Sequence, residues 1–525
     1  MIRKALNRVT FGVTPTLIKE VEEIGWEKWV DKQLALDGND SFCQKQIDAI
    51  HYSLSFREKG KKKEKEFSLF LYGASQEEIW KKLKEHEKPP RWLIDAGAVE
   101  TALVTWTKAI HSDFQIYEML VEFWHNHFNV SVETEDYISA GFPIYDREVI
   151  RKNALGNFRA FTEDVAKSPA MLLYLDNAFS KASPANENYA RELFELHTLG
   201  AMHYFNHLYD DWKQVPGAIE GKAEGYIDED VYEAARAFTG WTIGTGKENR
   251  QMDLPDTGTF FYYDSWHDHY QKRVLGVEFK SHQDAMADGH KVLDLVCYHK
   301  GTAKHLCTKL CKWFVADDPP QELIEGAMKV WMDNIEADDQ ILKTVRYILT
   351  SDLFVNETAD KVKRPNHLLF SMIRSLDLAL KPNTEWVWML EQMGWKQFSW
   401  PLPTGHPDSS NYWLNTDMLL KRWNSLPLIL YFNFQQDQQS FFTDSTMTLP
   451  NTKIETIIDF WSMQLLEEHL SDAVKAQVKA AAIQDMPEMA DQEWSILQKD
   501  HAEGLEYKIM QVVSLIALSP NFHKR

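Results

Sequence analysis

The sequence predicts a mainly α protein: a large multi-helix body with a small strand or hairpin appendage around residues 242–280. Three observations carry this. Apolar residues recur at helical spacing through residues 99–128, as Leu103, Trp106, Ile110, Phe114, Tyr117, Leu120 and Val121. The other long periodic stretches share that spacing. Residues 242–280 differ, because Gly, Asp and Pro breakers surround the aromatic run Thr259-Phe260-Phe261-Tyr262-Tyr263, which reads as a strand or hairpin.

In chain order, the charged run at 57–67 (REKGKKKEKEF) is expected to be an exposed loop opening an insertion over about 57–90. Helices are expected at 99–128, 146–167, 186–199 and 228–239. Beyond the appendage they are expected at 289–298, 302–315, 320–334, 338–351 and 364–380. Asp228 and Asp338 are placed to be N-caps, and Pro320 fits a first helical turn. Pro401, Pro403, Gly405 and Pro407 mark 399–415 as an ordered loop ending near Trp413. The organisation expected is a core over 1–385 with a C-terminal helical region, 386–525, packed on it. No solenoid period is present.

Of 525 residues, 44% are hydrophobic and 26% charged, the balance of a soluble globular chain. The 19 tryptophans predict an aromatic interior or cleft. A net charge of −21 argues against nucleic acid and anionic membranes, and is compatible with bound cations. Of the four cysteines, Cys307 and Cys311 lie four apart on an expected helix and read as buried thiols. The N-terminus Met1-Ile2-Arg3-Lys4 has the charge of a signal segment without an apolar run behind it. No stretch reaches the roughly 18 apolar residues of a spanning helix. The chain as given is expected in the cytoplasm, or as the trimmed form of an exported protein.

Three constellations could carry chemistry. Glu118, Glu122 and His125 fall at i, i+4 and i+7 on one helical face, and Glu122-x-x-His125 has the spacing of dimetal carboxylate sites in bundles. His127 could join His125 only where that helix ends. In residues 186–200, Glu192 and Glu195 share a face with Asn188, while Arg191 stacks with Glu187 and Glu195. His197 points elsewhere on a regular helix, so it would serve another wall of a shared pocket. In the strand-like region His267 and Asp268 are adjacent, with Lys272 as a nearby counter-ion. His299 and His305 read as structural residues. No P-loop, dinucleotide fingerprint, nucleophile elbow, H-E-x-x-H or EF-hand loop occurs.

At these residues the chain resembles a large bacterial family known only as domain of unknown function 1800. The resemblance covers nearly the whole length. It rests on Leu6-Asn7-Arg8-Val9-Thr10-Phe11-Gly12, on Phe123-Trp124-His125-Asn126-His127-Phe128 and on residues 186–200. It continues through Asp230-Val231, Ala237-Phe238-Thr239-Gly240-Trp241-Thr242, His267-Asp268 with Lys272, Leu275-Gly276 and His299 with Thr302-Ala303. It ends at Ser519-Pro520-Asn521-Phe522, where Asn521 replaces a usual acid. The resemblance implies a helical fold without a settled activity. Members are often exported and often accompany a second uncharacterised, phosphatase-like family.

The leading expectation is a metal-dependent enzyme, oxidoreductase or hydrolase. Glu118, His125, His127, Glu192 and Glu195 would hold a divalent transition metal (iron, manganese or zinc), and His197, His267 and Asp268 would be catalytic acid–base groups. Two alternatives stand beside it. One is a non-enzymatic scaffold or partner-binding protein in which these charges form a buried salt-bridge network. The other is a metal-free carbohydrate-active enzyme with two carboxylates across an aromatic cleft.

Overall fold

The computed structural model describes all residues except 1, 37, 39, 59, 247–253, 358–359, 437–440, 467 and 498–501. Helices dominate, as the periodicity requires, and the described strands form three two-stranded antiparallel sheets. The run 57–67 is not a loop: strands β1 (His51–Glu58) and β2 (Lys61–Ser68) make a hairpin. Alternation in β1 explains it, since Tyr52, Leu54 and Phe56 are buried or half-buried while Ser55 and Arg57 are exposed. The lysines and glutamates of β2 face water, while Phe67 pairs with Tyr52 and stacks on Trp92 at 5.2 Å.

The long apolar run is two helices, α1 (Arg91–His111) and α2 (Gln115–His127). Between them the Ser112 hydroxyl donates to Asp40 at 2.6 Å, and the Gln115 amide folds back on the Ser112 carbonyl at 2.8 Å. These bonds replace the helical ladder and turn the chain. α1 is apolar on most sides and central. At Gly97 the helix Asp136–Ile144 crosses so closely that a Cβ would lie 2.2 Å from the Ala140 carbonyl oxygen.

The helix expected at 146–167 begins as a π-turn, Tyr145–Arg151, and resumes as Phe158–Lys167. The segment expected at 186–199 is a short helix, α3 (Asn188–Glu192), continued by a second π-turn, Leu193–His197. Helix α4 (Asp228–Ala237) takes Ile227 as N-cap rather than Asp228, because the Asp230 carboxylate accepts the Ile227 N–H at 3.0 Å. Likewise Asp339, not Asp338, precedes helix Gln340–Thr350.

The appendage pairs β3 (Trp241–Thr245) with β4 (Asp256–Tyr262), and β5 (Lys272–Val274) with β6 (Val277–Phe279). The part of it at 247–253 lies outside the described residues. Then come Ala287–Cys297, α5 (Lys300–Phe314) and α6 (Pro365–Ser375). All four cysteines are buried thiols. One contiguous apolar core runs from Ala5 to Phe522, so residues on both sides of 385 share it. No helix of the described residues is long and apolar enough to cross a membrane.

Candidate functional site

Helix α2 carries polar side chains into the core, and each is matched by a partner distant in sequence. Arg151 Nη1 reaches both Glu118 oxygens at 2.8 Å. Its Nε reaches Asp146 at 2.8 Å, and His125 Nε2 donates to the same carboxylate at 2.8 Å. The π-turn makes this possible, since five-residue spacing stacks Arg151 on Asp146. Burial pushes the Asp146 carboxyl up, but Arg151 and His125 hold it well below the usual range. Glu122 accepts from His367 Nε2 at 2.9 Å and from the Asn366 amide at 2.8 Å. Arg525 donates to the other His367 nitrogen at 3.0 Å, which fixes a neutral ring.

His127 faces a different group. Its Nε2 donates to the His197 carbonyl at 3.1 Å, and Lys309 donates to its Nδ1 at 3.0 Å. His305 Nε2 donates to the Leu196 carbonyl at 3.1 Å, and His203 Nδ1 to the Leu199 carbonyl at 2.8 Å. Three imidazoles thus cap the carbonyls that the end of the π-turn leaves unpaired. Burial, reinforced by Lys309, pushes His127 well below its ordinary value and His305 down to about 4. The His197 ring is 1% exposed, and neither nitrogen has a hydrogen-bond partner.

Among the described residues Glu192 and Glu195 share no hydrogen bond or ion pair with His125, His127 or His197. Arg191 goes to Glu187 and Asp228, each at 3.1 Å. Burial and the neighbouring Glu195 charge push Glu192 up to about 7. The charges that weigh most on His127 are Lys309, His197 and His305. His267 and Asp268 form a further network: Arg236 binds Asp268 at 2.8 Å, and His267 and Lys272 both reach Asp288, at 3.3 and 2.7 Å.

The structure therefore brings His127 to His197, with rings 6.0 Å apart, and Glu118 to His125 through Arg151 and Asp146. It does not gather the five expected metal ligands. Among the described residues no three His, Cys, Asp or Glu side chains converge as a metal would need. The physical reason is that Arg151 and Arg364 already neutralise the acids of α2.

A cavity of about 850 Å³ opens where the histidine row reaches the surface. His203 and His299 line it, with rings 6.1 Å apart. Its apolar wall is Met202, Phe205, Leu295, Met328 and Met332, and its charged rim is Lys222, Lys291, Lys300 and Lys304. Among the described residues Lys222, Lys300 and Lys304 have no ion-pair partner. Asp294 is committed to Arg159 at 2.6 Å, which leaves Glu224 as the other acid of the lining. The one sequence signal for this site was the i, i+4, i+8 spacing of Gly301, His305 and Lys309 along α5, which leads from the cavity to His127.

The chain is thus a mainly α body with buried charge networks and a π-wound segment capped by histidines beside an open cavity. The chain belongs to the family described as Protein of unknown function (DUF1800), whose pattern matches residues 4–524. No curated protein and no solved structure matches it.

Proposed function

We propose that the protein binds a small organic anion with an apolar body in the 850 Å³ cavity. The lining carries this reading: methionines and aromatics form the wall, and lysines without acidic partners form the rim. The volume is in the range of small-molecule sites, roughly 300–1,000 Å³. A positive rim on a chain of net charge −21 is a local reversal that selects and steers an anion. The metal-dependent enzyme expected from the motifs has less support, because its ligand candidates are spread over separate networks.

The test is calorimetric titration with dodecanoate, dodecanol and dodecylammonium. The carboxylate is expected to bind about tenfold or more tighter than the alcohol, and the ammonium weakest. The double variant Lys300→Glu, Lys304→Glu is expected to erase that preference without changing the melting temperature. Equal affinity for all three ligands, or an unchanged preference in the variant, would overturn the reading.

A further inference from the structure

We propose that the anion held in the 850 Å³ cavity carries a hydroxyl group close to its charged end, and that His203 is the residue that reads it; this rests on the cavity taking an organic anion at all. His203 is held from three sides. Its backbone N–H donates to the Gly200 carbonyl at 3.0 Å, and its carbonyl accepts the Tyr226 N–H at 2.8 Å. Its Nδ1 donates to the Leu199 carbonyl at 2.8 Å. A carbonyl can only accept, so the proton of the neutral ring lies on Nδ1 and Nε2 keeps a lone pair. Among the described residues no donor reaches that Nε2.

The neighbouring groups leave the lone pair uncovered. The other imidazole of the lining is fully used: His299 Nε2 donates to the Ala223 carbonyl at 2.8 Å, and its Nδ1 accepts the Gly301 N–H at 2.9 Å. Gly301, also in the lining, has no side chain to cover His203. A Cβ there would lie 3.0 Å from His203 Nε2 and 2.8 Å from His299 Nδ1. The remaining side-chain acceptors of the lining are placed differently. Asp294 pairs with Arg159, and Glu224 and Tyr298 are exposed to water. His203 is half-buried and shares the cavity with the apolar wall of Met202, Phe205 and Met328.

An aliphatic chain that fills this cavity takes water away from Nε2. An acceptor stripped of water without a new donor weakens binding. A ligand hydroxyl removes that penalty, and a plain hydrocarbon chain does not. The place of the hydroxyl follows from helix α5. Gly301 lies between Lys300 and Lys304, which span about 6 Å of helix axis. The imidazole acceptor and the two ammonium groups are therefore anchored within about one turn, a separation of a few carbon–carbon bonds. A hydroxyl on the second or third carbon of a carboxylate meets both. One at the far end of the chain meets the apolar wall instead.

The test is calorimetric titration of the full chain at about pH 8.5, where an ordinary imidazole is neutral. The ligands are dodecanoate, 3-hydroxydodecanoate and 12-hydroxydodecanoate. The 3-hydroxy acid is expected to bind about tenfold tighter than dodecanoate, and the 12-hydroxy acid no tighter than dodecanoate. His203→Asn keeps an N–H for the Leu199 carbonyl and removes the imidazole Nε2, and is expected to bind dodecanoate and the 3-hydroxy acid equally. Gly301→Ala, whose methyl group covers Nε2, is expected to shrink the preference as well. Should either variant fail to fold, the wild-type ratios decide. Tight dodecanoate binding with no gain from the 3-hydroxyl would overturn this proposal alone, as would equal gains from both hydroxyl positions or a preference that survives His203→Asn. Dodecanoate binding no better than dodecanol would instead overturn the anion reading, and this inference with it.

Discussion

Glu192 shows what one side chain can report. Folded, it keeps its proton up to about pH 7, whereas an unperturbed glutamate titrates near 4.5. The folded state therefore binds more protons across that interval. The stability Glu192 contributes is complete below the unfolded value and is lost as pH rises through the folded one. Glu192→Gln fixes the neutral form. The variant is expected to match the wild type at acid pH and to exceed it by on the order of 1 kcal/mol above neutrality, a figure discounted for the partial exposure of the side chain. Urea unfolding at a series of pH values checks this, and parallel curves would refute it. The pairing of Glu192 with Glu195 was legible from i, i+3 spacing. The fates of Glu118 and His125 were not, because Arg151 and Asp146 enter from a separate turn whose partners no local pattern discloses.

Helical elements in this chain bend their own rules where charge is buried. The π-turns Tyr145–Arg151 and Leu193–His197 have no marker in apolar periodicity, which resolves a 3.6-residue repeat but not one widened turn. Most helices between about residues 99 and 380 were legible, and so was the aromatic strand, whereas those of the first 84 residues left no reading. The break between α1 and α2 was not, since it depends on Asp40 reaching Ser112 across 72 residues. The hairpin at His51–Ser68 was hidden by its charge, which reads as a solvated loop until Phe67 finds Trp92. Removing the keystone of the first π-turn tests its importance. Arg151→Met leaves Glu118 and Asp146 buried without a counter-charge and is expected to cost about 3–5 kcal/mol in urea unfolding. Arg151→Lys is expected to recover only part of this, because an ammonium cannot serve both carboxylates with the geometry of a planar fork. A loss below about 1 kcal/mol in Arg151→Met would show the network to be solvated instead.

At the scale of the whole molecule, the expected polar site resolves into separate structures: salt-bridged networks that hold the centre, and a cavity with a cationic rim. Motif spacing singled out Glu118, His125, His127 and His197, which are buried. It could not show that arginines from other helices had claimed the acids of α2, or that lysines far apart in sequence gather at one rim. The contiguous core has one more consequence, at its beginning. Leu6 and Val9 are fully buried, Arg8 donates to carbonyls 346 and 349 residues away, and the Phe11 N–H donates to the Gln115 side chain at 3.1 Å. Each such aliphatic side chain contributes roughly 1.5–3 kcal/mol by its burial. The lysines of β2, by contrast, are exposed to any protease. Limited trypsin treatment is expected to nick the hairpin while the pieces still co-elute on size exclusion, and to separate them only in denaturant. Separation in plain buffer would contradict this. A gene divided at that hairpin would then encode two polypeptides that reconstitute on mixing, the smaller one serving as a ready-made handle for split-protein assembly.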